Sequence, residues 1–268
     1  MANAEFLQPL SLPAITVSGL GTAAGFAVDN ASNDYAGVIW RSAGGVATGF
    51  LQIDFGVNVD INRLMLFGLS GFPANATVRI YSSTNAQGAT YAGWVSSALP
   101  VYAGTNRLPN GRGVSYVQMN EAGGPPPSRY WRIEFGALAN AAVEIGRIVM
   151  GKAYSGQRNF SFGGAFGIRD FSKVDFSARG ALLRTRRPRK LRTVGISFSM
   201  AYRDEVEATV QPLLEAVGLD GPLALIVDPD ANAMRERRCY FGLLQGDLGS
   251  IWRSAKAWEW RADMVSLF

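Results

Sequence analysis

From Trp258 to Met264 the chain alternates without a break: Trp258, Trp260, Ala262 and Met264 fall on one parity, Glu259, Arg261 and Asp263 on the other. A helix would scatter these seven side chains around its axis, whereas a strand sends every second one to the same face. The segment therefore buries its tryptophans only as a strand with one packed and one polar side. The same period runs from Val194 to Tyr202, with Val194, Ile196, Phe198, Met200 and Tyr202 opposed by Gly195, Ser197, Ser199 and Ala201. Between these strands, Val206, Val210, Leu213, Leu214 and Val217 share a helical face. Asp204 stands three residues before Glu207 at capping-box spacing, and Gly218 offers a left-handed stop. Pro212 inside that helix predicts a kink, because it removes a hydrogen bond. Leu223 to Val227 and Cys239 to Leu244 are short apolar runs, read as strands joined through a turn at Asp228-Pro229-Asp230.

The order strand, helix, strand, strand, strand is entered through a hairpin. That hairpin is expected to pair Lys173–Leu183 with Leu191–Tyr202 and to carry Arg184 to Lys190 at its tip. This pattern resembles the split-barrel domain of siphophage tail proteins, the fold of tail-tube subunits and distal tail proteins. The resemblance implies a non-enzymatic structural protein of the tail tip, made in the host cytoplasm and located in the virion tail. It implies a closed homo-oligomeric ring, expected to be a hexamer, with the tail-tube protein and the baseplate hub as neighbours. Arg184, Arg186, Arg187, Arg189 and Lys190 are the expected oligomer interface, facing helix acids Asp204, Glu205, Glu207 and Glu215 of the next subunit. The same basic run could follow a phosphate backbone, but it lacks interleaved aromatics, so nucleic acid is the less favoured partner.

Composition removes whole classes of chemistry. The 268 residues contain no histidine and one cysteine, Cys239, which excludes histidine-based catalysis, the usual zinc sites and an internal disulfide. No cofactor is expected. No apolar stretch approaches the length of a membrane span, and the first ten residues lack a basic start followed by an apolar run, so neither insertion nor a signal peptide is expected. Charge is unevenly spread. Residues 1 to 151 hold eight arginines, eight acids and no lysine, so the whole formal excess of +5 falls after Gly151 and marks a domain boundary there.

Ahead of that boundary lies a series of short strands. They are Phe50 to Gly56, Leu64 to Gly68, Thr77 to Tyr81, Tyr130 to Phe135 and Ala142 to Gly151, each bounded by Gly, Asn or Pro. A tryptophan followed by Leu-Gln-Ile-Asp-Phe-Gly, then Val-Arg-Ile-Tyr, then Trp-Arg-Ile, resembles the discoidin-like, galactose-binding type of jelly roll. The chain is thus expected to be mainly β: an N-terminal extension (residues 1–35), a jelly-roll β-sandwich (36–151), a linker (152–172) and a split β-barrel with one α-helix (173–268). In the jelly roll, Tyr91 and Trp94 are candidate stacking platforms for host surface glycans and Arg41 a hydrogen-bonding partner.

Three other constellations have plainer readings. Asp54 and Glu134 sit in similar contexts and suggest the carboxylate pair of a glycosidase, but each is also the polar-face residue of its own strand. Asp228, Asp230 and Asn232 open like a calcium loop, yet Ala233 and Cys239 occupy the positions where glycine and glutamate are required. Gly19, Gly21 and Gly25 miss the dinucleotide fingerprint and are turn residues. The sequence favours a tail-tip structural protein. A carbohydrate-binding module without a tail role is the alternative, and a glycoside hydrolase the least favoured.

Overall fold

The structure is a computed structural model that describes residues 2–120, 123–187, 190–254 and 256–268. The chain forms two compact units, Met1–Gly156 with Pro222–Cys239, and Gln157–Gly221 with Tyr240–Phe268. Both are built almost wholly of antiparallel strands.

In the first unit the strands are β1 (Glu5–Leu7), β2 (Ile15–Ser18), β3 (Trp40–Arg41), β4 (Gly49–Val59), β5 (Arg63–Leu69), β6 (Thr77–Ser83), β7 (Trp94–Val95), β8 (Leu99–Pro100), β9 (Gly113–Gln118), β10 (Ser128–Gly136), β11 (Glu144–Ile145), β12 (Arg147–Gly151) and β13 (Ala153–Ser155). One sheet runs β2-β4-β10-β6, with β7 and β8 both pairing to β6; a second runs β12-β5-β9. Leu51, Ile53, Val78, Ile80, Trp131, Ile133 and Phe135 from the first sheet share one core with Leu64, Leu66, Val117, Ile148 and Met150 from the second. Two sheets with one core between them are a β-sandwich, the architecture expected of this part of the chain. Alternation sets the register. On β10, Trp131, Ile133 and Phe135 are fully buried while Tyr130, Arg132 and Glu134 are half-buried on the outer side.

Several local expectations are corrected. Residues 1–35 are not a loose extension: β1 pairs with β13 and β2 with β4. Gly113–Gln118 is a buried strand absent from the series read in the sequence, where Ser115 and Tyr116 interrupt the apolar run that would have revealed it. Gly68, at φ 70°, bulges β5 where its register with β9 shifts between Phe67 and Leu69.

The second unit contains β14 (Ala165–Asp170), β15 (Lys173–Phe176), β16 (Leu182–Thr185) and β17 (Lys190–Ala201), then one helical segment. β18 (Pro222–Ile226) belongs to the first unit; β19 (Cys239–Leu244), β20 (Ser250–Ser254) and β21 (Ala257–Ser266) complete the chain. β21 carries the predicted alternation and lies between β17 and β19, with Trp260 stacked on Phe198 at 4.4 Å and 4°. On β17 the alternation fails after Phe198. A bulge between Phe198 and Ala201 exchanges the faces, so Ala201 is buried while Met200 and Tyr202 are exposed.

The helix is composite: α1 (Arg203–Glu205), a π-helical turn over Val206–Val210, and α2 (Gln211–Val217), which begins with Pro212 in its first turn. Proline tolerates a first turn because its missing N–H is not needed there, so the predicted kink takes the form of a π turn ahead of it. The Asp204–Glu207 capping box does not form. Tyr202 is the N-cap and makes no side-chain cap, and Glu207 instead accepts from Arg203 Nε at 2.8 Å.

The entry hairpin is also redrawn. β15 pairs with β16 through a turn at residues 177–181, where Gly180 takes φ 75° and its N–H donates to the Ser177 carbonyl. β17 pairs with β14, residues 165–170, which fall within the segment read as linker. The Ser-Ala-Arg-Gly turn thus splits what the sequence suggested was one long strand.

Candidate functional site

The outer face of the β4-β10-β6 sheet concentrates aromatic and charged groups. Cross-strand register aligns three rows: Phe50, Glu134 and Arg79; Gln52, Arg132 and Tyr81; Asp54, Tyr130 and Ser83. Arg132 is central, its guanidinium carbon 4.4 Å from the Phe50 ring centre, 4.3 Å from Tyr91 and 5.5 Å from Tyr81. Among the described residues it has no ion-pair partner, and its buried Nε has no hydrogen-bond acceptor. Tyr81 donates to Glu134 Oε1 at 3.3 Å. Arg129 binds Asp54 with two parallel bonds of 2.6 and 2.9 Å while lying over Tyr130.

Tyr91 reaches this face from the loop after β6. Its backbone is left-handed at φ 56°, a conformation that costs a residue with a Cβ roughly 1–2 kcal/mol. The loop is braced to hold it there. Ser83 Oγ donates to the Gly88 carbonyl at 2.6 Å and accepts from Tyr91 N–H at 3.2 Å. Thr84 and Gln87 close a reciprocal capping box over the turn between them. A Cβ at Gly93, where the loop returns, would lie 2.3 Å from Gln87 Oε1 and so displace the side chain that closes this box. Burial raises the Tyr91 hydroxyl pKa, so the phenol stays neutral and able to donate.

The predicted site residues are not brought together. Trp94 on β7 pairs opposite the inward-facing Ser82 and packs half-buried against the sandwich core, so it does not share the Tyr91 face. Arg41 stands on β3 opposite Glu144 and spends its guanidinium on that carboxylate, which Arg112 also holds at 3.0 Å; Phe26 lies under Arg41 at 4.5 Å. Arg184, Arg186 and Arg187 are exposed beyond the β15–β16 turn, at the base of the hairpin and not at its tip. Lys190 is bonded to Asp170 of its own chain at 2.9 Å, and Arg189 lies outside the described residues. Of the helix acids, Glu205 accepts from the Gln157 N–H, so it too is engaged within the chain.

The carboxylate pair does not converge. Asp54 lies opposite Tyr130 and Glu134 opposite Phe50, four residues apart along the strands, which is about 13 Å at strand rise. Glycosidase pairs work at roughly 5–9.5 Å. The Arg129 bond also lowers the Asp54 pKa, opposite to what a general acid needs. Asp228 and Asn232 are likewise spent locally: Asp228 on Arg238 and the Asp230 N–H, Asn232 on the Met234 N–H.

Neither a protein-family model nor a curated protein matches the chain. Among solved structures it is similar to chitosan-binding module 1 of a chitosanase/glucanase from Paenibacillus sp. IK-5, at 19% identity and TM-score 0.38, over 54% of this chain and 98% of that one. It is also similar to a fucose binding module from Streptococcus pneumoniae, at 10% identity and TM-score 0.37, over 55% of this chain and 98% of that one. A third is CBM32-1 from a family 31 glycoside hydrolase of Clostridium perfringens, at 16% identity and TM-score 0.36, over 53% and 97%.

Proposed function

We propose that the first unit is a carbohydrate-binding module whose ligand lies on the outer β4-β10-β6 face, with no hydrolytic chemistry at Asp54 and Glu134. The observation that carries this reading is Tyr91, held in a strained backbone conformation beside Tyr81, Tyr130 and the ring-flanked Arg132. Strain that the surrounding loop over-determines is a mark of a functional position. Half-buried rings with polar groups between them suit a sugar, which presents an apolar face to stack and hydroxyls to bond. A glycan array probed with the full chain tests it: binding that is lost in Tyr91→Ala and Tyr81→Ala and kept in Trp94→Phe is expected. Binding unaffected by both tyrosine changes would move the site elsewhere, and no binding at all would remove the reading.

A second reading concerns the second unit, where an exposed hairpin supports a role in assembly. Val174, Phe176, Leu182 and Leu183 are 42–66% exposed on β15 and β16, and Phe166 and Ile168 are 57% and 67% exposed on β14. Of these, Val174, Phe176 and Leu182 share one side of the hairpin, and exposed apolar surface on one side of a hairpin suits a contact with another protein. The form that this reading takes is the homo-oligomeric ring of a phage tail tip, with a location in the virion tail. Finding the protein in purified tail particles would support it, and its absence from them would end it.

A further inference from the structure

The arginines of the sandwich sort sharply by partner. Residues 1 to 151 contain eight. Six hold a carboxylate: Arg41 and Arg112 share Glu144, Arg63 holds Glu5, Arg107 holds Glu236, Arg129 holds Asp54 and Arg147 holds Asp34. The two without an ion pair among the described residues, Arg79 and Arg132, stand on neighbouring strands of the same outer face, in the rows that also carry Tyr81 and Phe50.

We propose that these two arginines receive a carboxylate-bearing polysaccharide, so that the ligand of this face is an acidic glycan. The inference rests on the carbohydrate reading above and narrows it. A guanidinium half-desolvated among rings keeps its charge and favours an incoming anion, more so where water is partly excluded. Phe50, Tyr81 and Tyr91 fix the plane of the Arg132 group, so its free edge is set in advance for a two-point contact with a planar carboxylate. Glu134, directly opposite Arg79, already accepts from Tyr81, and the two rows that hold these three charges carry one net positive charge. A uronic acid unit answers both halves of this surface: its ring stacks and its carboxylate meets the guanidinium. A neutral sugar answers only the first.

The test is calorimetric titration of the full chain with three probes of matched length: oligogalacturonate, its methyl ester, and a neutral galacto-oligosaccharide. Oligogalacturonate is expected to bind at least tenfold more tightly than its ester. Arg132→Gln should erase that preference, Arg132→Lys should restore only part of it, and Arg79→Gln should weaken the acid form several-fold. Thermal midpoints near that of the wild type confirm folding in each variant. Equal binding of acid, ester and neutral probe overturns the acidic assignment and leaves the carbohydrate reading standing. Absence of binding to all three overturns both. Polyglutamate binding as tightly as oligogalacturonate would show a charge contact without sugar recognition and also overturns the proposal.

Discussion

Arg63 grips Glu5 with two parallel bonds of 2.7 Å, and both side chains are over nine-tenths buried. Tyr116 adds a third bond to the same carboxylate at 2.6 Å, and Asn120 accepts from the far side of the guanidinium at 2.8 Å. Every polar atom in this group has a partner, which is the condition under which a buried ion pair is tolerated at all. Glu5→Ala leaves Arg63 charged and without its main partner, so a loss of about 3–5 kcal/mol is expected. Chemical denaturation of Glu5→Ala, Arg63→Met and the double variant measures it. The double change should cost clearly less than the two single changes added.

Glu236 predicts a pH dependence. Its side chain is fully buried, Arg107 donates to it at 2.5 Å, and burial raises its pKa above the ordinary glutamate value. A raised native pKa means that the folded protein holds a proton which the unfolded chain has released. The contribution is therefore complete below the ordinary glutamate value and declines as pH rises through the native one. Denaturant midpoints of the wild type and Glu236→Gln, followed from about pH 4 upward, should show this slope in the wild type and not in the variant. Parallel curves would assign the slope to other groups.

How far the sequence reached depends on the length of each pattern. β21 and the inner faces of β4, β6 and β10 were legible because seven or more residues repeat the period of two and the buried parity is mostly apolar, Ser82 and Ser266 being the exceptions on β6 and β21. β1 has three residues, and its key member is a buried glutamate, which reads as a surface residue until Arg63 is placed beside it. The bulge on β17 adds one residue to one strand, and nothing in Ser199-Met200-Ala201 announces it. The site was partly readable. Phe50, Tyr130, Arg132 and Glu134 fall on the outer parity of strands already recognised, but that they share a face comes from the pairing of β4 with β10, which alternation does not reveal. The direction of Trp94 was not readable because a two-residue strand carries no period, and only its pairing with Ser82 shows which way it faces.

Tyr91 allows backbone and ring to be tested apart. At φ 56° glycine is free of the penalty that alanine keeps, so Tyr91→Gly should be more stable than Tyr91→Ala by about 1 kcal/mol. Both remove the ring over Arg132, so both should lose glycan binding, whereas Tyr91→Phe should keep the stacking and most of the affinity. Thermal denaturation combined with the glycan array separates the two effects. If Tyr91→Gly is no more stable than Tyr91→Ala, the left-handed backbone is not what shapes this loop.

The last prediction concerns the hairpin of the second unit. Val174, Phe176 and Leu182 lie on one side of it with Arg184, because Val174 pairs opposite Arg184 and Phe176 opposite Leu182. A two-stranded hairpin with an uncovered apolar side is marginal in water, so the surface that covers it governs both its order and the assembly of the protein. Its base is fixed by Asp170, whose pKa is held down to about 2 by the Ser172 N–H and then by Lys190. A depressed carboxyl contributes at every pH above the ordinary aspartate value and is lost only as pH falls through the native one, so the base should stay closed down to about pH 3. Exposed pairs such as Lys190 with Asp170 are weak, and the apolar side carries the contact, so added salt should alter assembly little. Replacing Val174 and Phe176 by serine touches no buried residue, so thermal stability should stay within about 0.5 kcal/mol while self-association falls. Mass photometry and light scattering decide the matter. Oligomers that survive the double change would place the contact elsewhere, and a wild type that stays monomeric at high concentration would show that this surface awaits a different protein.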